Sequence, residues 1–220
     1  MEVFIATPSY SGQLCCEYQH SMASAIRELI YANIPVQQQV KSGNPFIDRA
    51  RNELVTSFLK TSATDLLFVD DDVGFDANVI TRVLSYPQEI VAGLVPKRDP
   101  TNDSCFHQDA LTGVIENGLF QSLEAPTAFM RIKRSVFAKL DDAYPEYKTM
   151  DTAASDIPYF QTGIYKGGFV GEDIFFCRQW CALGEYLWID SDITFTHTGR
   201  KVWRGNFYDH AVKSGMLIIS

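Results

Sequence analysis

Apolar and polar positions over the first hundred residues follow two alternating periods. Short apolar runs, "EVFIA" (2–6), "IPVQQQVKSG" (34–43), "DLLFVDDD" (65–72) and "EIVAGLVP" (89–96), read as strands. Between them lie segments of helical spacing. One covers 15–32, with Met22, Ile26, Leu29 and Ile30 three or four apart; another covers about 46–60, with Ile47, Leu54 and Phe58 inward and Pro45 near its start; a third covers about 76–85. Strands that alternate with helices predict an α/β domain, a mostly parallel central sheet flanked by helices. In such sheets ligands bind beyond the carboxyl ends of the strands. Thr7–Tyr10, Asp70–Asp72 and Pro96–Arg98 fall at those ends.

The second half is less regular. "LFQSLEAPTAFMRIKR" (119–134) suggests strands and "SVFAKL" (135–140) a short helix. Residues 141–168, rich in Asp, Tyr, Pro and Gly, read as a long loop. A helix is expected from about Glu172 to Leu183, then one strand over "EYLWIDSDITFTHTG" (185–199). No internal repeat or linker divides the chain.

Composition narrows the function classes. The chain of 220 residues suffices for one full core, and its net charge of −8 argues against nucleic acid or an anionic membrane as partner. Five cysteines without a CxxC pair predict neither a disulfide framework nor a thiolate zinc site. No apolar run approaches the roughly 18 residues of a membrane span, and the start is not a signal peptide. The expectation is a soluble, reduced, cytoplasmic protein.

Three consecutive carboxylates after an apolar strand carry the chemistry. A solvated turn that caps the next helix would need one Asp, not Asp70, Asp71 and Asp72 together. Mg²⁺ or Mn²⁺ prefers hard oxygen ligands and leaves positions for substrate phosphates. With the strand's period of two, Asp70 and Asp72 point one way and share a metal, and Asp71 points the other. His197, in "ITFTHTGR", is a further expected ligand for Mn²⁺, and Arg200 and Lys201 then face the phosphates. Glu172 and Asp173 open a helix, where acids also simply complement its dipole.

Read together, "IATPSYSG", "RARNELVTSFL", "LLFVDDDV", "IVAGLVPKRD", "AFMRIKRSVF", "GEDIFFCRQW" and "THTG" resemble, in order, glycosyltransferases of the GT-A fold. The likeness is to the large family 2 type and its viral and phage relatives. It implies one Rossmann-like GT-A domain over 1–220: a nucleotide-binding half (1–98), and an acceptor and catalytic half (99–220) with a small irregular C-terminal region. It implies a nucleotide-diphosphate sugar donor, foremost a UDP-sugar, and a glycan or glycoprotein acceptor. By the same resemblance Thr7, Pro8 and Tyr10 meet the nucleobase, with Tyr10 able to stack on it. Arg51 and Asn52 lie near the nucleotide, and Lys97 joins the donor-binding set. Asp70 and Asp71 lie near ribose and metal, Asp72 and His197 are metal ligands, and Asp173 is the base of an inverting reaction with Glu172 beside it. At "APTAFM" many relatives carry a glycine where this chain has Thr127 or Ala128, so the sugar stays open. The compact C-terminal end leaves little protein for an acceptor, which further chain or a partner is expected to supply. If the source is viral, the location is host cytosol. The alternatives are a non-catalytic nucleotide-sugar binding module and a sugar nucleotidyltransferase. The latter usually carries a basic Gly-rich loop after its first strand, and "TPSYSGQLCC" has no basic residue.

Overall fold

The computed structural model describes residues 1–98, 106, 110–145, 157–165, 167–199 and 201–217. Strand β1 (Val3–Ser9) is buried along its whole length because it is interior, parallel to β2 (Val36–Ser42) on one side and β3 (Asp65–Val69) on the other. An eight-stranded sheet continues through β8 (Phe129–Lys133), β5 (Ile90–Gly93), β11 (Leu187–Asp190), β7 (Leu119–Ser122) and β6 (Leu111–Glu116). Six strands run one way; β8 and β7 run against them. The sheet is thus mostly parallel, as the pattern predicts, and β8 from the second half is inserted between β3 and β5. The Gln- and Lys-bearing β2 and the largely exposed β6 form its edges, where polar side chains discourage further pairing.

Side chains of each central strand alternate between two cores. Phe4, Ala6, Leu66, Phe68, Ile90, Ala92, Met130 and Ile132 face one; Val3, Ile5, Leu67, Val69, Val91 and Phe129 face the other. On the first face lie α2 (Ile47–Leu59), α4 (Arg134–Ala143), α5 (Glu172–Ala182) and α6 (Phe207–Lys213), through Phe58, Phe137, Trp180 and Phe207 among others. On the second lie α1 (Cys16–Tyr31) and α3 (Val79–Ser85), through Tyr18, Met22, Leu29 and Ile80. Helices α1, α2 and α5 fall within two residues of their expected bounds.

The structure departs from the expected pattern at several places. The single strand read over 185–199 is two strands, β11 and β12 (Thr194–Thr198). The buried Asp190 carboxylate stops the first: it accepts from Arg82 Nη2 at 2.6 Å and Tyr86 Oη at 3.1 Å, and Asp192 N closes onto it at 3.2 Å. An Asp that binds the backbone two residues on makes a turn, not a strand. In addition, β12 leaves the large sheet to pair with β13 (Val202–Asn206) and with β4 (Val73–Phe75), forming a three-stranded sheet. From the expected 141–168 loop, residues 141–143 belong to α4, 146–156 lie outside the described residues, and Gly163–Tyr165 (β9) pairs with Gly168–Val170 (β10) as a hairpin.

The small sheet packs onto the large one with no space for a methyl group at Gly93. A Cβ there would stand 2.4 Å from two ring carbons of the fully buried Phe195. Gly93→Ala is therefore expected to lower stability by about 1–3 kcal/mol, read as a shifted urea midpoint. An unchanged midpoint would mean that Phe195 packs elsewhere.

Candidate functional site

The acidic run is not strand. β3 ends at Val69, and Val73 N donates to Asp70 O at 3.2 Å, so Asp70–Asp72 form a turn between β3 and β4. The period-two argument does not apply to them; all three residues line one cleft of about 380 Å³ at the carboxyl ends of the strands. Its other walls are Pro8–Ser11 after β1, residues 44, 45, 47 and 50 around the start of α2, and Arg98, Ala128 and His197. Tyr10, 71% exposed, stands at its rim.

Pairing of β4 with β12 explains how residues far apart in sequence meet. His197 sits opposite Val73 in register, and Thr198 N donates to Asp72 O at 2.8 Å. His197 Nε2 consequently lies 3.5 Å from Asp72 Oδ1. Its Nδ1 is 2.7 Å from the carbonyl of Pro96. A carbonyl only accepts, so Nδ1 carries the proton, and in the neutral ring the Nε2 lone pair faces Asp72. This is the outer-shell arrangement that orients metal-binding imidazoles.

Arg98 Nη1 is 2.9 Å from Asp72 Oδ2 and donates to Thr198 O at 3.2 Å. A Cβ on Gly199 would meet Arg98 Cδ at 2.9 Å, so the glycine makes room for this arginine. Asp71 is held above the usual carboxylate range, first by burial and then by the charges of Asp72 and Asp70, with the Ser9 hydroxyl and Arg98 opposing.

Asp70 is directed elsewhere. Arg51 Nη2 donates to its Oδ1 at 3.1 Å, and Arg51 Nε donates to Glu172 Oε1 at 3.1 Å. Arg51 is buried; desolvation lowers its pKa, but Asp70 and Glu172 outweigh that and raise it. Its Nη1 is buried with no hydrogen-bond partner, an arrangement that costs about 1–3 kcal/mol. Asp173, next to Glu172, is pushed up to about 6, first by burial and then by the Glu172 charge, with Ile174 N (2.7 Å from its Oδ1) and Arg51 pulling down.

The sequence-predicted residues thus divide. Pro8, Tyr10, Asp70, Asp71, Asp72 and His197 share the cleft. Arg51, Glu172 and Asp173 are not among the lining residues; Arg51 ties Asp70 to Glu172. Thr7 is not on the wall: β1 continues to Ser9, and Thr7 is a buried strand residue with Oγ1 2.6 Å from Tyr18 Oη. Asn52 holds the backbone of Phe160 by two hydrogen bonds, at 2.8 and 2.9 Å, and does not line the cleft. Arg98 lines it where Lys97 was expected. Lys201 Nζ lies 5.0 Å from the Trp203 ring centroid, and Arg200 is outside the described residues. Among the described residues no three His, Cys, Asp or Glu side chains converge as a complete metal cage. The convergent pair is Asp72 with His197, and Asp70 is engaged by Arg51. Arg98, inside the strand-end stretch Pro96–Arg98, and Ser11 and Asn44 line the cleft without a role assigned from the sequence; for Arg98 the available signal is its place shortly after β5. Among the described residues no helix is long and apolar enough to cross a membrane.

No protein-family model matches the sequence, and no curated protein sequence matches it significantly. Solved structures do. A197 from STIV superposes with a TM-score of 0.54 and 16% identity over 94% of this chain and 95% of that one. A glycosyltransferase involved in the glycosylation of the major capsid of PBCV-1 aligns at 0.38 and 9% identity, over 70% and 69% of the two chains. S. aureus TarS 1-349, in complex with UDP-GlcNAc, aligns at 0.47 and 11% identity, over 86% of this chain and 56% of that one. At such identities the likeness speaks for fold alone, and the A197 superposition carries it. The chain has a GT-A-like fold, shared over nearly its whole length with A197 from STIV.

Proposed function

We propose that this chain transfers a glycosyl group from a nucleotide-diphosphate sugar, with UDP as the nucleotide, to a hydroxyl of a glycan or glycoprotein, assisted by Mn²⁺ or Mg²⁺. The observation that carries the reading is the Asp72–His197 pair, 3.5 Å apart, with the imidazole held by Pro96 O in the tautomer that turns a lone pair toward the carboxylate. One carboxylate and one imidazole leave a divalent ion most of its coordination sphere for phosphate oxygens and water, as Mg²⁺ and Mn²⁺ sites do. Asp72 and His197 would hold the ion, which when bound neutralises charge on the leaving diphosphate.

Protein groups perform the rest. Tyr10 at the rim offers a face for the base, and Asp71 offers an acceptor for a ribose hydroxyl. The Arg98 guanidinium, already beside Asp72, adds a second positive charge where the diphosphate separates. Asp173 takes the proton of the attacking hydroxyl; its value of about 6 leaves it ionised near neutrality while still basic enough to act. Direct attack inverts the anomeric centre.

Calorimetry with Mn²⁺ and UDP, followed by UDP release from a panel of UDP-sugars, tests the reading. UDP is expected to bind in Mn²⁺ and to lose at least tenfold in affinity in excess EDTA. One UDP-sugar is expected to be turned over, faster with acceptor present. Equal affinity in EDTA would remove the metal. Tight binding with no release from any sugar would make the chain a nucleotide-sugar binding module.

A further inference from the structure

Helix α2 holds two distant parts of the molecule with adjacent side chains. The Arg51 side chain is only 4% exposed, and its guanidinium carbon lies 5.2 Å from the Phe68 ring centroid. Its Nη2 reaches Asp70, 19 residues away in the turn that carries Asp72; its Nε reaches Glu172, 121 residues away at the first position of α5, which carries Asp173. The next residue, Asn52, takes both backbone hydrogen-bonding groups of Phe160, whose ring stacks on Phe176 of α5 at 4.5 Å. A single turn of α2 therefore fixes the start of α5 relative to the acidic turn.

We propose that Arg51 is a positioning residue: it sets the spacing between the Asp72–His197 pair and Asp173, and makes no contact with the nucleotide. The proposal rests on the glycosyl-transfer reading above. A displacement reaction needs its leaving group and its base held at one separation, and a misplacement of about 1 Å can cost roughly 10²-fold in rate. The donors of a guanidinium leave in fixed directions within one plane, so one side chain can bind two carboxylates on different elements and hold the angle between them. A lysine ammonium keeps the charge but is a point without that geometry. Asp173 itself faces Glu172 and Cys177 from its own helix and Arg51 from α2. Loosening the fork changes both where Asp173 sits and which charges surround it.

Arg51→Lys separates this role from the others. Mn²⁺–UDP affinity is expected within about 3-fold of wild type. For the UDP-sugar that wild type turns over fastest, KM is expected within about 3-fold and kcat lower by roughly 10²-fold. A tenfold or greater loss of Mn²⁺–UDP affinity would overturn the proposal by making Arg51 a nucleotide contact. A kcat within twofold of wild type would reduce the fork to a structural tie. If Arg51→Lys lacks a cooperative melt, Glu172→Gln cuts one arm from the other end, and the same split between kcat and affinity decides. If wild type binds Mn²⁺–UDP yet turns over no sugar, the glycosyl-transfer reading falls by itself. Arg51 is then judged by carbon-detected NMR of the Asp173 carboxyl. A titration midpoint shifted in Arg51→Lys upholds the tie between Arg51 and the Asp173 end of α5, and an unshifted one overturns it.

Discussion

Asp173→Asn is expected to lower turnover by roughly 10²-fold or more while Mn²⁺–UDP affinity stays within a few-fold of wild type. A positioned base typically contributes about 10²–10⁴-fold, and Asn keeps the shape of the side chain but cannot take a proton. Wild-type kcat should rise with pH and reach half its plateau at about 6, where the buried carboxyl ionises. Linkage gives an independent sign. Because folding raises this carboxyl from its ordinary value of 3.8 to about 6, it favours the folded state fully below the unfolded value, and that contribution is lost as pH rises through about 6. The melting temperature of wild type should therefore carry a decline between about pH 4 and 6 that Asp173→Asn lacks. If Asp173 serves only the helix dipole, Asn would cost about 0.3–1 kcal/mol of stability and leave turnover almost intact. Unchanged turnover would sink the assignment.

Asp72→Ala is expected to abolish metal-dependent binding with little effect on folding. Loss of an outer-shell partner alone commonly costs 10–100-fold in metal affinity, so loss of the ligand itself should cost at least about 10²-fold for Mn²⁺–UDP. Folding should tolerate the change. The Asp72 side chain is 23% exposed, its partner Arg98 is 47% exposed, and ion pairs so open to water contribute about 0–1 kcal/mol. The backbone bond from Thr198 N to Asp72 O, which anchors β12, does not depend on the side chain. Calorimetry and a melt of this variant decide between ligand and scaffold: a collapsed melting temperature would make the carboxylate structural.

Local periodicity made the first half of the fold legible. Met22 and Leu29, or Leu54 and Phe58, declare helical faces that are buried as expected, and the run "DLLFV" declares a fully buried strand. Periodicity reports burial, not partners. Nothing around Phe129–Lys133 says that this strand runs antiparallel between β3 and β5, and three-residue β4 is too short to show a period. The same limit governs the site. Three aspartates in a row were conspicuous, yet their separate engagements depend on long-range partners: Arg51 for Asp70, Arg98 and His197 for Asp72. Thr7 stays inside β1, which runs on to Ser9, and Arg98 lines the cleft in place of its neighbour Lys97 because its partners Asp72 and Thr198 are distant in sequence.

The split of the 185–199 run has a consequence in time. In chain order β11 is the last strand of the eight-stranded sheet, and it is complete at Asp190, before Thr194–Thr198 exists. A ribosome that delivers the chain from its amino end releases all the strands of the large sheet before the imidazole that faces Asp72. During synthesis the cleft therefore lacks one wall until β12 docks on β4. The growing chain would handle donor and metal only once its scaffold is already in hand.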